Sequence, residues 1–306
     1  ADLRVMEGQV EWHPVAKPMS VLQEGESLRW TAAGEVGTIG DSPARFGELE
    51  SRMAEQRKER REVWADSSRE MRNDPRLLAY FPMDQTGTWN RQVFDESPAE
   101  RNGTIVRVSR VEGRFAGKSG LDFTPTGSRI RLEIPGDHES LSLMCWVKID
   151  SLDRWYNSLF LTDGHELFEP HWQIMDDGRL FFSVKANEVD KKKHFVDKHI
   201  AFSPPIWTPA QSGKWMHIAT VFDGKSMTTT HYLNGEPISR DEIPENLQPE
   251  KVRIGAASIG NWSDPTRGND PHFAVRNLNG VIDEFAIFSA SLSDKEIREI
   301  YESGKP

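Results

Sequence analysis

The amino-acid sequence predicts a mainly β protein: an antiparallel sandwich with a charged linker helix and a small N-terminal β segment. Short apolar or alternating runs recur after residue 77. Turn dipeptides separate them, at Asn102-Gly103, Asp177-Gly178, Asp223-Gly224 and Asn234-Gly235. From residue 77 helical patterning is scarce until residue 293, which favours a sandwich over a fold that alternates strands with helices.

Composition restricts the class of protein. The chain has 306 residues and a formal net charge of −10, so a nucleic-acid or anionic-membrane partner is not expected. No apolar run reaches the length of about 20 residues that spans a bilayer. The single cysteine, Cys145, excludes an internal disulfide, and packing must supply the stability. Ten tryptophans are notable because tryptophan is common at binding surfaces.

Residues 1–40 form the first predicted segment. They alternate like short strands, and about 40 residues of this kind cannot bury a core alone. Their motif positions are Val5, Glu7, Gly8 and Val10, then Val21, Gly25, Glu26 and Leu28. This pattern resembles the C-terminal part of a FecR-like domain. The resemblance implies a piece of a longer envelope protein, a signalling partner acting through this region, and a membrane anchor only in a missing N-terminal part.

Residues 41–76 are predicted to be a charged helical linker. Fifteen of the 27 residues from Glu50 to Arg76 are charged. An apolar stripe nevertheless runs along the helix, at Phe46, Leu49, Met53, Val63, Trp64 and Met71. The stripe lacks sustained heptads, so a solvated connecting helix lying partly on a neighbouring domain is favoured over a coiled-coil or partner-binding helix.

Residues 77–306 are predicted to form one β domain, in which seven short motifs occur in order. They are Leu78–Asp84, Asp95–Thr104, Gly117–Phe123, Leu141–Lys148, Trp215–Gly235, Val252–Gly255 and the Asp283-Glu284 strand. A Ser293-x-x-Glu296 capping box then opens a closing helix that ends near Gly304. The series resembles the LamG-like jelly-roll domains of the concanavalin A-like lectin and glucanase family. The resemblance implies a jelly-roll sandwich and a binding module.

The strand at residues 141–149 shows the predicted alternation most clearly. Leu143, Cys145, Val147 and Ile149 share one purely apolar face, which is expected to face the interior of the sandwich. Cys145 is therefore predicted to be inert packing and not a reactive thiol.

Asp283 is the first candidate metal ligand. Domains of the resembled family often hold Ca²⁺ with oxygen ligands at a sheet rim, and Ca²⁺ needs six to eight oxygens. The resemblance places Asp84 beside the terminal strand and adds Asp95 as a third ligand. The alternative is that one carboxylate caps loop amides and the other is solvated. A second metal hypothesis concerns His165, Glu166, Glu169 and His171, which an ordinary polar loop explains better.

Exposed aromatic residues are the candidate ligand contacts, because flat rings stack on sugars. Trp155, Tyr156 and Trp172 lie in turn-rich sequence and are predicted first. Trp262 is a fourth candidate, although it also fits a Gly-Asn-Trp loop common in LamG-like relatives and would then be structural.

The sequence therefore predicts a periplasmic or cell-surface recognition module that binds a glycan or a protein. One alternative is a structural or adhesive spacer without a small ligand. The other is an atypical glycoside-acting enzyme, which needs two carboxylates about 5 to 10 Å apart. No enzyme is expected, because Glu166 and Glu169 are three residues apart and do not share a strand face.

Overall fold

The computed structural model describes strand residues 2–4, 9–12, 20–23, 27–30 and 36–38, and then residues 43–85, 91–188, 196–262 and 275–306. The chain divides into two compact units, residues 1–57 and 58–306. Among the described residues, no helix has both the length and the apolar character needed to cross a membrane.

The first unit contains five short strands: β1 (Asp2–Arg4), β2 (Gln9–Trp12), β3 (Ser20–Gln23), β4 (Ser27–Trp30) and β5 (Val36–Thr38). Strands β1, β4 and β5 form an antiparallel sheet, and β2 pairs with β3. The predicted N-terminal β segment is thus present. Five residues of the FecR-like pattern lie outside the described residues, namely Val5, Glu7, Gly8, Gly25 and Glu26, so that resemblance stays a prediction.

The charged helix is α1 (Pro43–Met71). Its residues from Lys58 onward belong to the second unit. Within that part, Trp64 is buried and Met71 packs against buried apolar side chains, whereas Val63 is exposed. Over the last turns of the helix the predicted stripe therefore contacts the β domain through Trp64 and Met71.

The second unit is a sandwich of two antiparallel sheets. Its strands begin with β6 (Leu77–Phe81), β7 (Gln92–Val93), β8 (Gly103–Val106), β9 (Ser109–Glu112), β10 (Ser119–Asp122), β11 (Arg129–His138), β12 (Leu141–Ser151) and β13 (Tyr156–Thr162). They continue with β14 (Pro170–Met175), β15 (Arg179–Lys185), β16 (Lys198–Pro205), β17 (Trp215–Asp223), β18 (Thr228–Leu233), β19 (Glu236–Glu242), β20 (Val252–Ile259) and β21 (Asn279–Phe288). The closing helix is α2 (Asp294–Gly304).

Sheet 1 has the order β19-β18-β17-β12-β21-β10-β9, and β6 also pairs with β21. Sheet 2 has the order β16-β15-β14-β13-β20-β11-β8-β7. The inner faces of the two sheets form one large apolar core. Leu143, Cys145, Val147 and Ile149 all lie in it, as the alternation predicts. The mainly β sandwich is confirmed.

The outer face of sheet 1 forms a second apolar cluster. Met144 and Ala286 belong to it, and Ile297 of α2 packs with them. Met71 of α1 and Ile300 of α2 border the same cluster. The capping box of α2 is confirmed, because Ser293 and Glu296 exchange side-chain to backbone hydrogen bonds. Both helices therefore cover sheet 1 from outside.

The predicted turns are confirmed at three of four places. Asn234 and Gly235 both have positive φ, 50° and 80°, as the tight turn between β18 and β19 requires. Asn102-Gly103 is not a turn, since Gly103 begins β8. A Cβ on Gly103 would lie 2.4 Å from the Ile130 side chain, so the glycine is required by close packing between strands.

Cys145 provides a test of this packing. Burial, reinforced by the nearby Asp283 carboxylate, raises the pKa of its thiol well above the ordinary value. We expect the native protein to resist labelling by a chromogenic disulfide reagent and to react only after unfolding in denaturant. A Ser226→Cys control on an exposed turn should label quickly in native buffer. Fast labelling of native wild type would contradict the buried position.

Candidate functional site

Asp283 and Glu284 lie side by side on the outer face of sheet 1. Strict alternation would place neighbouring residues on opposite faces. The pairing of β21 with β12 shifts at this point, since Trp146 faces Glu284 whereas Val147 faces Ile282. Asp283 is the additional residue of this β-bulge, which turns both carboxylates to the same side. The pair is therefore in mid-strand and not at the rim.

Two cations neutralise these carboxylates. Arg114 donates to Asp283 and to Glu284 from different guanidinium nitrogens, and its Nε donates to the Gly304 carbonyl at 2.8 Å. Lys118 Nζ lies 3.4 Å from Asp283 Oδ2 and donates to the Pro82 carbonyl at 2.7 Å. The four charges sum to zero. Such balance is what makes the burial of ions tolerable.

Helix α1 and strand β6 complete the enclosure of Glu284. Trp64 Nε1 donates to its two oxygens at 3.2 and 3.0 Å, and the Tyr80 hydroxyl donates to Oε1. Burial alone would raise the pKa of Glu284, but Arg114 and Lys118 hold that pKa below its ordinary value. Glu284 is thus ionised at neutral pH and joins the helix to the sheet.

The three predicted calcium ligands have other partners. Asp283 is fully buried and paired as described. Asp95 accepts hydrogen bonds from the backbone amides of Tyr80, Ser97 and Arg101, at 2.7 to 2.9 Å. Asp84 follows β6 and lies 3.5 Å from Arg61. In the described ranges no three acidic, histidine or cysteine side chains form a cluster suited to a metal. The calcium site stays a prediction.

A cavity with a volume of about 310 Å³ lies on the outer face of sheet 2. This is at the lower end of the range for small-molecule sites. Its described lining consists of Tyr156, His165, His171, Gln173, Phe181, Lys185, Asp197, Lys198, Trp262 and Arg276.

The floor of the cavity comes from β14 and β15. In β14 the alternation buries Trp172 and Ile174 in the core and turns His171 and Gln173 outward. Gln173 is 2% exposed, and its Oε1 has no hydrogen-bond partner among the described residues. Burial, reinforced by electrostatic interaction with His165 and Arg276, lowers the pKa of His171 well below the ordinary value, so its ring is neutral.

The walls of the cavity are aromatic. The Arg276 guanidinium lies 4.5 Å from the ring centres of both Tyr156 and Trp262. Trp155, which is 51% exposed, stacks on Tyr156 with the ring centres 6.2 Å apart. His165 and His171 stack at 4.2 Å and do not converge on one point with Glu166 and Glu169 as metal ligands would.

The predicted ligand contacts thus separate into two groups. Tyr156 lines the cavity, Trp155 adjoins it, and Trp262 both lines it and donates to the Thr162 carbonyl at 2.9 Å. The prediction is wrong for Trp172, because that residue is fully buried against Phe285.

Sequence reasoning missed Gln173, Lys185 and Arg276. The alternation in His171-Trp172-Gln173-Ile174 could have indicated Gln173. Lys185 alternates in the same way with Val184, a core residue. No local pattern marks Arg276, since it reaches the cavity from the segment before β21.

Comparison with known proteins agrees with this architecture. The profile of the concanavalin A-like lectin/glucanases superfamily matches residues 124–298, which is more than half of the chain. The chain therefore belongs to this superfamily. No curated protein matches the sequence.

Solved structures show the same fold in toxin domains. The botulinum neurotoxin serotype D binding domain is 15% identical with a TM-score of 0.53, over 74% of this chain and 51% of that one. The binding domain of neurotoxin DC in complex with rat synaptotagmin II is 15% identical with a TM-score of 0.55, over 75% and 52%. The chain spans about half the length of these structures, and the likeness concerns the fold alone.

Arg114→Met tests the ion cluster. It leaves two carboxylates buried with one cation, which costs about 3–5 kcal/mol when a buried pair is broken. We expect a loss of that order in the free energy of unfolding, measured with urea. Arg179→Met, which breaks an exposed pair with Asp177, should cost less than about 1 kcal/mol. Equal losses in the two variants would show that the cluster contributes no more than a surface pair.

The ionisation of Glu284 predicts a pH dependence. Its pKa in the folded protein lies below the ordinary value of 4.5, so its stabilising charge is fully present above about pH 4.5 and is lost as the pH falls through the folded value. We expect Glu284→Gln to be less stable than wild type at neutral pH and to lose less stability on acidification. Glu299→Gln, on the exposed side of α2, should follow the wild-type curve. An unchanged acid dependence in Glu284→Gln would refute this role.

Proposed function

We propose that the protein is an extracytoplasmic recognition module that binds a saccharide in the cavity of sheet 2. The observation that carries the proposal is the buried side-chain amide of Gln173, which lines the cavity with its Oε1 unpaired among the described residues. An unsatisfied buried acceptor costs about 1–3 kcal/mol. A ligand hydroxyl that donates to this oxygen would remove the cost, and sugars supply such hydroxyls.

The aromatic walls of the cavity favour a saccharide over other neutral ligands. Tyr156 and Trp262 present flat aromatic surfaces, and Trp155 extends the aromatic surface toward solvent. A sugar ring combines an apolar face with a polar edge, which matches aromatic walls above a polar floor. The described floor supplies that polarity through Gln173 and the neutral His171.

Binding without glycoside cleavage fits the lining better than catalysis does. Glycosidases need an acid and a second carboxylate on either side of the bond. The described lining contains one carboxylate, Asp197, which pairs with Lys198 at 2.9 Å.

Binding is also what two of the solved neighbours do, since they are toxin binding domains in complex with rat synaptotagmin II and with SialylT. A protein ligand is therefore a second outcome of the test, and a spacer without ligand is the third. The extracytoplasmic location and a signalling partner rest on the FecR-like resemblance of residues 1–40.

Tyr156→Ala tests the site with a saccharide selected from a glycan array. We expect the affinity, measured by calorimetry, to fall about three- to tenfold, because an aromatic contact contributes roughly 0.5–1.5 kcal/mol beyond its buried area. Phe94→Ala removes an exposed ring outside the lining and should leave the affinity unchanged. If no glycan binds, or if both variants bind like wild type, the cavity is not a saccharide site.

A further inference from the structure

The cavity has a cationic end as well as an aromatic one. In β15 the side chains of Phe181, Ser183 and Lys185 point to the outer face, while Leu180, Phe182 and Val184 lie in the core. Lys185 faces Lys198 on the neighbouring strand β16. Two lysines are therefore adjacent at one end of the cavity floor.

Lys185 is incompletely neutralised. Its side chain is 10% exposed, and its ion-pair partner is Glu188, at 3.4 Å. The Glu188 side chain is 69% exposed. A long ion pair with a solvated carboxylate contributes little, whereas burying an ammonium group is costly. Lys198, by contrast, pairs with Asp197 at 2.9 Å. Lys185 therefore has donor capacity for a further anion.

The charged residues that line the cavity also favour an anionic ligand. Among the described lining residues, Arg276, Lys185 and Lys198 are cationic and Asp197 is anionic, within a chain of net charge −10. An excess of cationic groups in the described part of the lining favours an anionic group there. The lowered pKa of His171 has burial as its first cause, and the charges of Arg276 and Lys198 act in the same direction.

The register of β14 and β15 fixes the separation of the two ends. Gln173 faces Phe181, and His171 faces Ser183. The Oγ of Ser183, like the Oε1 of Gln173, is buried without a partner among the described residues. From Phe181 to Lys185 is four residues, or about 13 Å at 3.3 Å per residue. That length exceeds a single sugar ring, and Gln173 lines the cavity along it.

We propose that the cavity binds an acidic oligosaccharide, with a carboxylate or sulfate held by Lys185 and a neighbouring ring against Tyr156 and Phe181. This rests on the saccharide site proposed above and adds the class of saccharide. Lys185 supplies a charge-assisted hydrogen bond to the anionic group.

The test is calorimetry on the full chain with three tetrasaccharides: an oligogalacturonate, a sulfated heparin fragment and neutral cellotetraose. We expect at least one acidic probe to bind more tightly than the neutral one, and its binding to weaken with added salt. Lys185→Met should weaken acidic binding about tenfold or more, as expected for a hydrogen bond to a charged group, and leave neutral binding unchanged. Lys185→Arg should retain most of the affinity, and Lys225→Met is the exposed control.

The outcomes separate the two proposals. If the neutral probe binds as tightly as the acidic ones and salt has no effect, the inference about charge is wrong and the saccharide site stands. If none of the probes binds and a wider glycan array is also negative, the saccharide site itself is wrong. The salt dependence of wild type decides the question even if Lys185→Met fails to fold. A preference for the carboxylated or the sulfated probe identifies the anionic group.

Discussion

The arrangement of the β domain depends on the contacts of one buried group, the guanidinium of Arg114. It bonds two adjacent carboxylates of β21 and the last carbonyl of α2. Through Glu284 the same cluster reaches Trp64 of α1. Two helices distant in sequence are thereby joined to one sheet. The cluster is also why Gly304 is a glycine: a Cβ there would lie 2.8 Å from Trp146 Nε1 and 3.3 Å from Arg114.

The outer faces of the two sheets differ in what covers them. The outer face of sheet 1 is occupied by α1 and α2, so its aromatic residues, such as Trp146, serve packing. The outer face of sheet 2 carries the cavity. A ligand site on the second sheet can therefore vary without disturbing the ion cluster, because the two lie on opposite sides of the core. In this chain the Asp283-Glu284 pair of the last strand bonds Arg114, and Glu284 also accepts from Trp64 of α1.

The sequence-based predictions succeeded where a local pattern determines the structure and failed where it does not. Alternation located the inward face of β12, and Ser293 with Glu296 located the start of α2. The β-bulge at Asp283 could not be predicted, because it is a mismatch with β12 that only pairing reveals. Arg114 and Lys118 could not be predicted for a similar reason: the carboxylates with which they pair are more than 160 residues away. The prediction for Trp172 fails because the turn-rich sequence on either side conceals the alternation within β14, which turns this residue into the core.

The strand β14 shows why the fold is easier to predict than the function. Trp172 and Ile174 point inward and contribute to a core that any member of the superfamily must fill. His171 and Gln173 point away from that core and line the cavity, so filling the core does not determine their identity. A buried amide with an unpaired oxygen is unfavourable for the folded chain alone. The proposed ligand would explain its presence at this position better than stability does, and such a role lies in residues that the fold alone does not determine.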